Sequence, residues 1–483
     1  MSARTESLLG FIYEERAAQI APRLDRLIDR YREHVSSPDG YRAGTPPFTE
    51  RDAVMIALGD SFVGAGGSPL AQLLRFLDDE AEGVISGVHV LPFSPRSSND
   101  PYAVTDHREV DPELGDWSDI EAIADHFMLM ADLVLTHCSP QGAWFQGFLR
   151  DEPPYSEYFV TASPADDHVD LDFSNPDVLI EMLDVFLGYI ARGVRVVRLD
   201  SIAYLWTETG TPCLHHPKAH AIVKLIRAIV DEIAPWVVII VHPSAPHQEN
   251  LDYLGAGDDE AHMVYDVSLS PLVTDAFLSA DATSLSAWVR ELHTPGSTSL
   301  FNVLGPCDAI APAALPDSQR ARVFLAAQSV ALAIAGVPGV YCQSLVGSED
   351  RERLDLDELS AVLNESGSLG NLVFDGYKAL LRARAASDAF SPAAAQRVLS
   401  APSSVFALVR TSPTGGRVLC LVNVTGDEAE VSFTDGELGL GDEKVFRELV
   451  TDTFLYPSRD DGNRVSLVID PYEVLWLAYS SPE

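Results

Sequence analysis

Three residues at the ends of two short apolar runs have the types and spacing to do chemistry. In "VRVVRLD", from Val194, Arg198 stands two residues before Asp200. Residues two apart on a strand share a face, so the guanidinium and the carboxylate point the same way. The cation then keeps the carboxylate ionised and lowers its pKa. An ionised, positioned carboxylate can attack the anomeric carbon of a sugar. A structural ion pair closing a core accounts for the same spacing equally well, and on spacing alone both readings stand. The third residue, His242, ends the run "VVIIVH" inside "VVIIVHPSAPHQEN", residues 237–250. Such a run of branched apolar residues bounded by polar residues and Pro reads as a fully buried parallel strand.

The elements that must position these residues repeat along the chain. Eight apolar runs read as strands: "AVMIAL" from Ala53, "GVHVLPF" from Gly87, "ADLVLTH" from Ala131, "VRVVRLD", "WVVIIVH" from Trp236, "HMVYD" from His262, "SLFNVLG" from Ser299 and "GVPGVYCQ" from Gly336. Between most of them lie segments such as "PDVLIEMLDVFLGYIARG" and "KAHAIVKLIRAIVDEIA", apolar at three- and four-residue spacing. Eightfold strand–helix alternation predicts an α/β fold, a closed (β/α)8 barrel. The alternative, a doubly wound open sheet, lacks a G-x-G-x-x-G after its first strand. The barrel is expected over residues 1–395, with a small excursion at about 138–176 roofing the site. After it, short alternating runs such as "SVFALVRTS", "GRVLCLVNVT" and "EVLWLAY" predict an antiparallel β-sandwich over residues 396–483.

Active sites of such barrels lie at the C-terminal strand ends. The candidates there are Asp60, Asn99, Asp132 with His137, Arg198 with Asp200, His242, Asp266, and Cys307 with Asp308.

Bulk properties narrow the partners. The 483-residue chain carries a net charge of −39, which repels nucleic acid and anionic membrane surfaces. Five cysteines without any C-x-x-C spacing give no metal signature and fit a reducing cytoplasm. The start of the chain shows no basic segment followed by an apolar one, so no signal peptide is expected. The longest apolar run, "VFLAAQSVALAIAGVPGVY" from Val323, is broken by Gln328, Gly336 and Pro338 and reads as a buried helix feeding a strand. The expected partner is a small sugar or sugar phosphate, with no cofactor, no metal, no nucleic acid and no membrane, and a homodimer is possible.

Five blocks, taken in order, resemble the α-amylase superfamily, glycoside hydrolase family 13: "GVHVLPFSPRSSNDPYAVTDHREVDPELGDWSDIEAI", "DLVLTHCSPQGAWFQGFL", "VRVVRLDSIAYLW", "PHQENLDYLG" and "DEAHMVYDVSLSPLV". Within it they resemble the branch of sucrose, glucosylglycerol and glucosylglycerate phosphorylases, from about Asp52 through the C-terminal β domain. The resemblance implies double displacement with net retention through a covalent glucosyl–Asp200 intermediate. Arg198 is then the partner of Asp200, and Asp308 the carboxylate that stabilises the oxocarbenium-like state. His137 and Asp132 match the third-strand motif, and Tyr102, Asn99 and Cys307 join the substrate-binding set.

Four positions depart from the family pattern. His242 occupies the place of the acid Glu, Cys307 that of a His, Thr136 that of an Asn, and Asn99 that of an Asp. The stretch after Asp308 also runs straight into a helix where phosphorylases carry a long loop, and "GSEDRERLDLDEL" lacks that branch's Asn-Arg-rich pattern. Three readings of His242 follow. An imidazole with a pKa near 6.5 is itself a competent proton donor. A donor whose leaving group departs readily needs little acid catalysis, which is worth about 10²–10⁴-fold. Finally, a decayed site would leave a sugar-binding or scaffold protein. The pattern favours an enzyme of retaining glucosyl transfer or hydrolysis, a phosphorylase or a glycosidase, restricted to activated donors such as glucose 1-phosphate, with the non-catalytic homologue, a sugar-binding or scaffold protein, as the alternative.

Other motifs are read as structural. "CLHHPKAH", from Cys213, is expected to cap the following helix instead of binding metal. Trp144 and Phe145 suit either a sugar entrance or simple packing.

Overall fold

A computed structural model describes residues 1–160, 167–208, 210–211, 213–242, 247–305, 310–311, 313–348, 353–440, 445–459 and 464–479. Eight parallel strands close into a barrel: β1 Val54–Ala57, β2 Gly87–Val90, β3 Met128–Val134, β4 Val196–Asp200, β5 Val238–His242, β6 Met263–Asp266, β7 Ser299–Val303 and β8 Val337–Tyr341. All eight expected runs are barrel strands, each paired with its sequence neighbour, and β8 closes on β1. The third begins three residues earlier than the sequence suggests, at Met128, because Met128 to Met130 pair with β2.

Alternation along each strand sorts side chains into two sets. Val54, Ile56, Met130, Val196, Val238, Ile240, Met263, Phe301 and Val337 fill the barrel interior. Their neighbours, such as Val197, Leu199, Ile239 and Val241, pack outward against helices. Gly339 on β8 leaves room for the Phe301 ring, since a Cβ there would stand 2.6 Å from Phe301 Cζ.

Helices α1 Ala3–Tyr13 and α2 Ala17–Arg32 lean on the outer ring. That ring includes α3 Pro69–Glu80, α4 Trp117–His126, α6 Pro176–Ala191 and α7 Pro217–Ile233. Their starts are encoded locally. Ser68, Asp116, Asn175 and His216 each accept a backbone N–H of the first turn, and Pro leads α3, α6 and α7. "CLHHPKAH" thus does cap a helix, through His216. The excursion after β3 pairs His137–Cys138 with Val169–Asp170 and holds helix α5, Ala143–Leu149. Trp144 stacks flat on His107 and Phe145 packs on Phe148 and Phe159, so packing explains this pair. The apolar run from Val323 lies in a helix, Asp317–Ala333, and a strand, as read. Among the described residues no helix is long and apolar enough to cross a membrane.

Beyond the barrel, a six-stranded and a three-stranded antiparallel sheet form the C-terminal region. Along Val405–Thr411, Phe406 and Leu408 face the barrel's outer core, while Val405, Ala407 and Val409 face the second sheet's core. Period-two alternation with apolar residues on both faces places this sheet between the two cores. The sequence reading missed three short strands there, Ala395–Val398, Thr453–Leu455 and Ser458–Arg459. Each, at two to four residues, is too short to show a period.

Candidate active site

At the C-terminal ends of β2 to β6 the inward positions change from apolar to polar. His89, Asp132, Arg198 and Asp200 are all buried. Register brings them together: Asp132 on β3 lies opposite Arg198 on β4, and Asp200 lies opposite His242 on β5. Sequence spacing placed Arg198 and Asp200 on one face, and the geometry agrees.

The hydrogen bonds form one connected chain. Arg198 Nε donates to Asp132 Oδ1 at 2.5 Å and Arg198 Nη2 to Asp132 Oδ2 at 3.1 Å, a bidentate fork. The same Nη2 reaches Tyr102 Oη at 2.5 Å and Asp200 Oδ1 at 3.2 Å. His89 Nε2 stands 2.8 Å from Asp132 Oδ1, and because a carboxylate only accepts, that nitrogen carries the hydrogen. His242 Nδ1 donates to Asp200 Oδ1 at 3.1 Å, and Ser201 Oγ donates to Asp200 Oδ2 at 2.8 Å. Tyr265 closes the floor, its ring 5.1 Å from the Arg198 guanidinium carbon and 5.3 Å from the His242 ring.

Burial and charge set the protonation states. Burial would raise the Asp132 carboxyl, but Arg198 and His89 outweigh it and hold it well below the carboxylate range. Burial would likewise raise Asp200, yet the His242 hydrogen bond and the Arg198 charge bring it below its ordinary value. Arg198, desolvated but flanked by Asp132, Tyr102 and Asp200, is held firmly protonated. Burial pulls His89 down, so its ring is neutral. The described cluster therefore carries two carboxylates and one guanidinium. The Asp200 carboxylate in it suits positive charge developing on a sugar ring in the transition state.

The other sequence candidates fall in different places. Tyr102 joins the cluster through Arg198. His137 borders it: its Nδ1 lies 2.8 Å from Thr136 Oγ1, its ring packs 4.2 Å from that of His168, and burial pushes it down to about 4. Asn99 is exposed on the loop after β2 and takes no part in the bonds just described. Asp60 pairs with Arg353 at 2.6 Å, and Asp266 accepts from the backbone N–H of Ser268. Cys307 and Asp308 lie outside the described residues. The two glutamates between the fifth and sixth strands are engaged elsewhere: Glu249 pairs with His215 at 2.9 Å and Glu260 with His220 at 2.6 Å. The group beside Asp200 is His242. No group of metal-ligating side chains occurs among the described residues.

Sequence reasoning missed His89, Ser201 and Tyr265. His89 had left a signal, a lone imidazole inside the apolar run "GVHV". Ser201 could not be read, because its left-handed backbone, φ 51°, aims the hydroxyl at its neighbour only in the folded turn.

Comparison with known proteins bears on the fold and the family. Residues 402–477 match the family model described as D-apionate lactonase, C-terminal immunoglobulin-like domain. The chain is 39% identical to a glucosylglycerate phosphorylase of Spirochaeta thermophila, with 98% of each chain covered. It is 32% identical to a glucosylglycerate phosphorylase of Allomeiothermus silvanus, with 97% of each covered. The first alignment spans 576 positions, more than the 483 residues present, so that relative carries internal stretches with no counterpart here. Among solved structures, an α-amylase from H. orenii superposes with a TM-score of 0.72 at 16% identity, covering 89% of this chain and 99% of that one. A sucrose 6F-phosphate phosphorylase from Thermoanaerobacter thermosaccharolyticum gives 0.64 at 16% identity, covering 87% and 98%.

Proposed function

Since the chain belongs to the sucrose phosphorylase-like branch of glycoside hydrolase family 13, we propose that it transfers an α-glucosyl group between phosphate and a small polar acceptor, with net retention. The observation that carries this reading is the state of Asp200: ionised, inward-facing at the end of β4, and oriented by Arg198 and His242.

An Asp200 oxygen attacks the anomeric carbon of glucose 1-phosphate. The carbon–oxygen bond to phosphate breaks, phosphate leaves with the electron pair, and a glucosyl ester of Asp200 remains. An acceptor hydroxyl then attacks the same carbon, and Asp200 departs as carboxylate. Two inversions give retention. Phosphate departs as an anion, so the first step needs little acid assistance, and loss of the family's Glu is tolerated. With Nδ1 bonded to Asp200, Nε2 is the His242 atom left to take the acceptor's proton. Asp308 is assigned to charge stabilisation by its motif. The relatives' names suggest glycerate as the acceptor to test first.

A second reading, sugar binding without turnover, is favoured by the hold on both Asp200 oxygens and by a side chain only 10% exposed. One experiment separates the two. The protein is incubated with α-glucosyl fluoride or with glucose 1-phosphate, and intact mass is recorded. A single hexosyl adduct that disappears in Asp200→Asn supports transfer. Neither adduct nor turnover, with glucose still bound, supports the second reading.

A further inference from the structure

Arg195 immediately precedes β4 and lies at the opposite end of that strand from Asp200, about 16 Å away at ~3.3 Å per residue. It lines a cavity of about 320 Å³ at the N-terminal mouth of the barrel. Catalysis in such barrels belongs to the other face, so this cavity is not part of the Asp200 site. Its walls come from the loop before β1, which supplies Asp39, Tyr41 and Arg42, and from Trp236 and His262, which precede β5 and β6.

Three features give the cavity a definite chemistry. The Arg195 guanidinium is half-buried, yet makes no ion pair and no side-chain hydrogen bond among the described residues. Asp39 acts on it only through space, while burial pulls its pKa down. A partly desolvated cation without a paired anion is costly and asks for one. Next, His262 Nδ1 accepts the backbone N–H of Ile239 at 3.0 Å, which forces the ring hydrogen onto Nε2. Burial keeps that ring neutral, pushed down to about 3, so Nε2–H stays a donor across the physiological range. Last, Tyr41 and Trp236 meet edge to face with ring centroids 5.6 Å apart, a preformed aromatic wall. A volume near 300 Å³ fits a small molecule.

We infer that this cavity binds a small oxyanion-bearing ligand, a carboxylate or phosphate ester with a flat face, through Arg195 and His262 with the flat face against Trp236. The guanidinium fork matches either oxyanion bidentately. The site lies apart from the catalytic pole and does not depend on the reaction proposed above.

Phenyl phosphate and benzoate, titrated into the full-length protein, test this by calorimetry and tryptophan fluorescence. Saturable binding of at least one probe is expected, the preferred one identifying the oxyanion. Arg195→Gln weakens it by about 10- to 100-fold, as for a lost hydrogen bond to a charged group. Arg195→Lys, which keeps the charge without the fork, falls between, and is read alone should Arg195→Gln not fold. Trp236→Phe abolishes the fluorescence response while calorimetric binding persists, and Asp200→Asn leaves binding unchanged. No saturable binding of either probe, full affinity in both Arg195 variants, or loss of binding in Asp200→Asn would overturn the inference.

Discussion

His242 Nδ1 stands 3.1 Å from Asp200 Oδ1, across one register pair of adjacent barrel strands. In retaining glycosidases the acid and the nucleophile are separate groups about 5–5.5 Å apart. Here the replacement touches the nucleophile directly, so its first effect is on Asp200 itself.

Removing that contact should move the pH dependence. The His242 hydrogen bond is the largest influence holding Asp200 below its ordinary value. Asp200 must be ionised to attack, so activity appears as pH rises through its pKa. In His242→Phe the acid limb of kcat/KM for α-glucosyl fluoride should therefore shift to higher pH. An unmoved limb would show that the hydrogen bond does not tune the nucleophile.

Restoring a carboxylic acid should widen the donor range. His242→Glu is expected to raise kcat/KM for an unactivated alkyl α-glucoside by about 10²-fold or more, the usual contribution of a general acid. Activity on α-glucosyl fluoride, whose leaving group needs little protonation, should change far less. Parallel changes on both donors would refute the activated-donor reading.

Asp132 is structural to the site. Asp132→Ala leaves Arg198 buried without its bidentate partner, at a cost of about 3–5 kcal/mol in urea denaturation. The folded pKa of Asp132 lies below its unfolded value. Its stabilisation is thus fully present above the unfolded pKa of about 4 and is lost as pH falls towards the folded value. The wild type should lose stability across that acid window and the variant should lose less.

Three imidazoles should be silent in an NMR titration. Burial pushes His107 and His137 down to about 4 and His262 to about 3. Their ring proton shifts should stay flat from pH 8 to about 5, where an ordinary His with pKa near 6.5 titrates. Because the unfolded chain binds those protons first, stability declines as pH drops below about 6.5.

Arg410 ties the C-terminal sheet to the barrel. Fully buried, it donates to the carbonyls of Ala333, Ser391 and Ala394. Arg410→Met should destabilise the protein by about 3 kcal/mol, since buried carbonyls are left unsatisfied. Barrel and sheet should still unfold in one transition, seen as coincident fluorescence and circular dichroism curves.

Much of this protein is local and therefore legible in its sequence. Branched apolar runs, capped helices and period-two alternation each depend on residues a few positions apart. They announce eight barrel strands and an antiparallel C-terminal region. Five ordered motifs announced the family, and two-residue spacing put Arg198 beside Asp200. The rest is set by contacts between elements. Whether Arg198 would serve Asp200 alone or also grip Asp132 depends on register between β3 and β4, and sequence spacing carries no register. That His242 reaches Asp200, that Ser201 turns back on it, and that His89 lies beneath Asp132 follow from closing a barrel, which brings inward side chains from distant segments into one layer. Closure likewise leaves Arg195 at the other mouth among residues from four segments. Those long-range juxtapositions decide the charge, the proton positions and the reach of the site, and only the folded chain makes them.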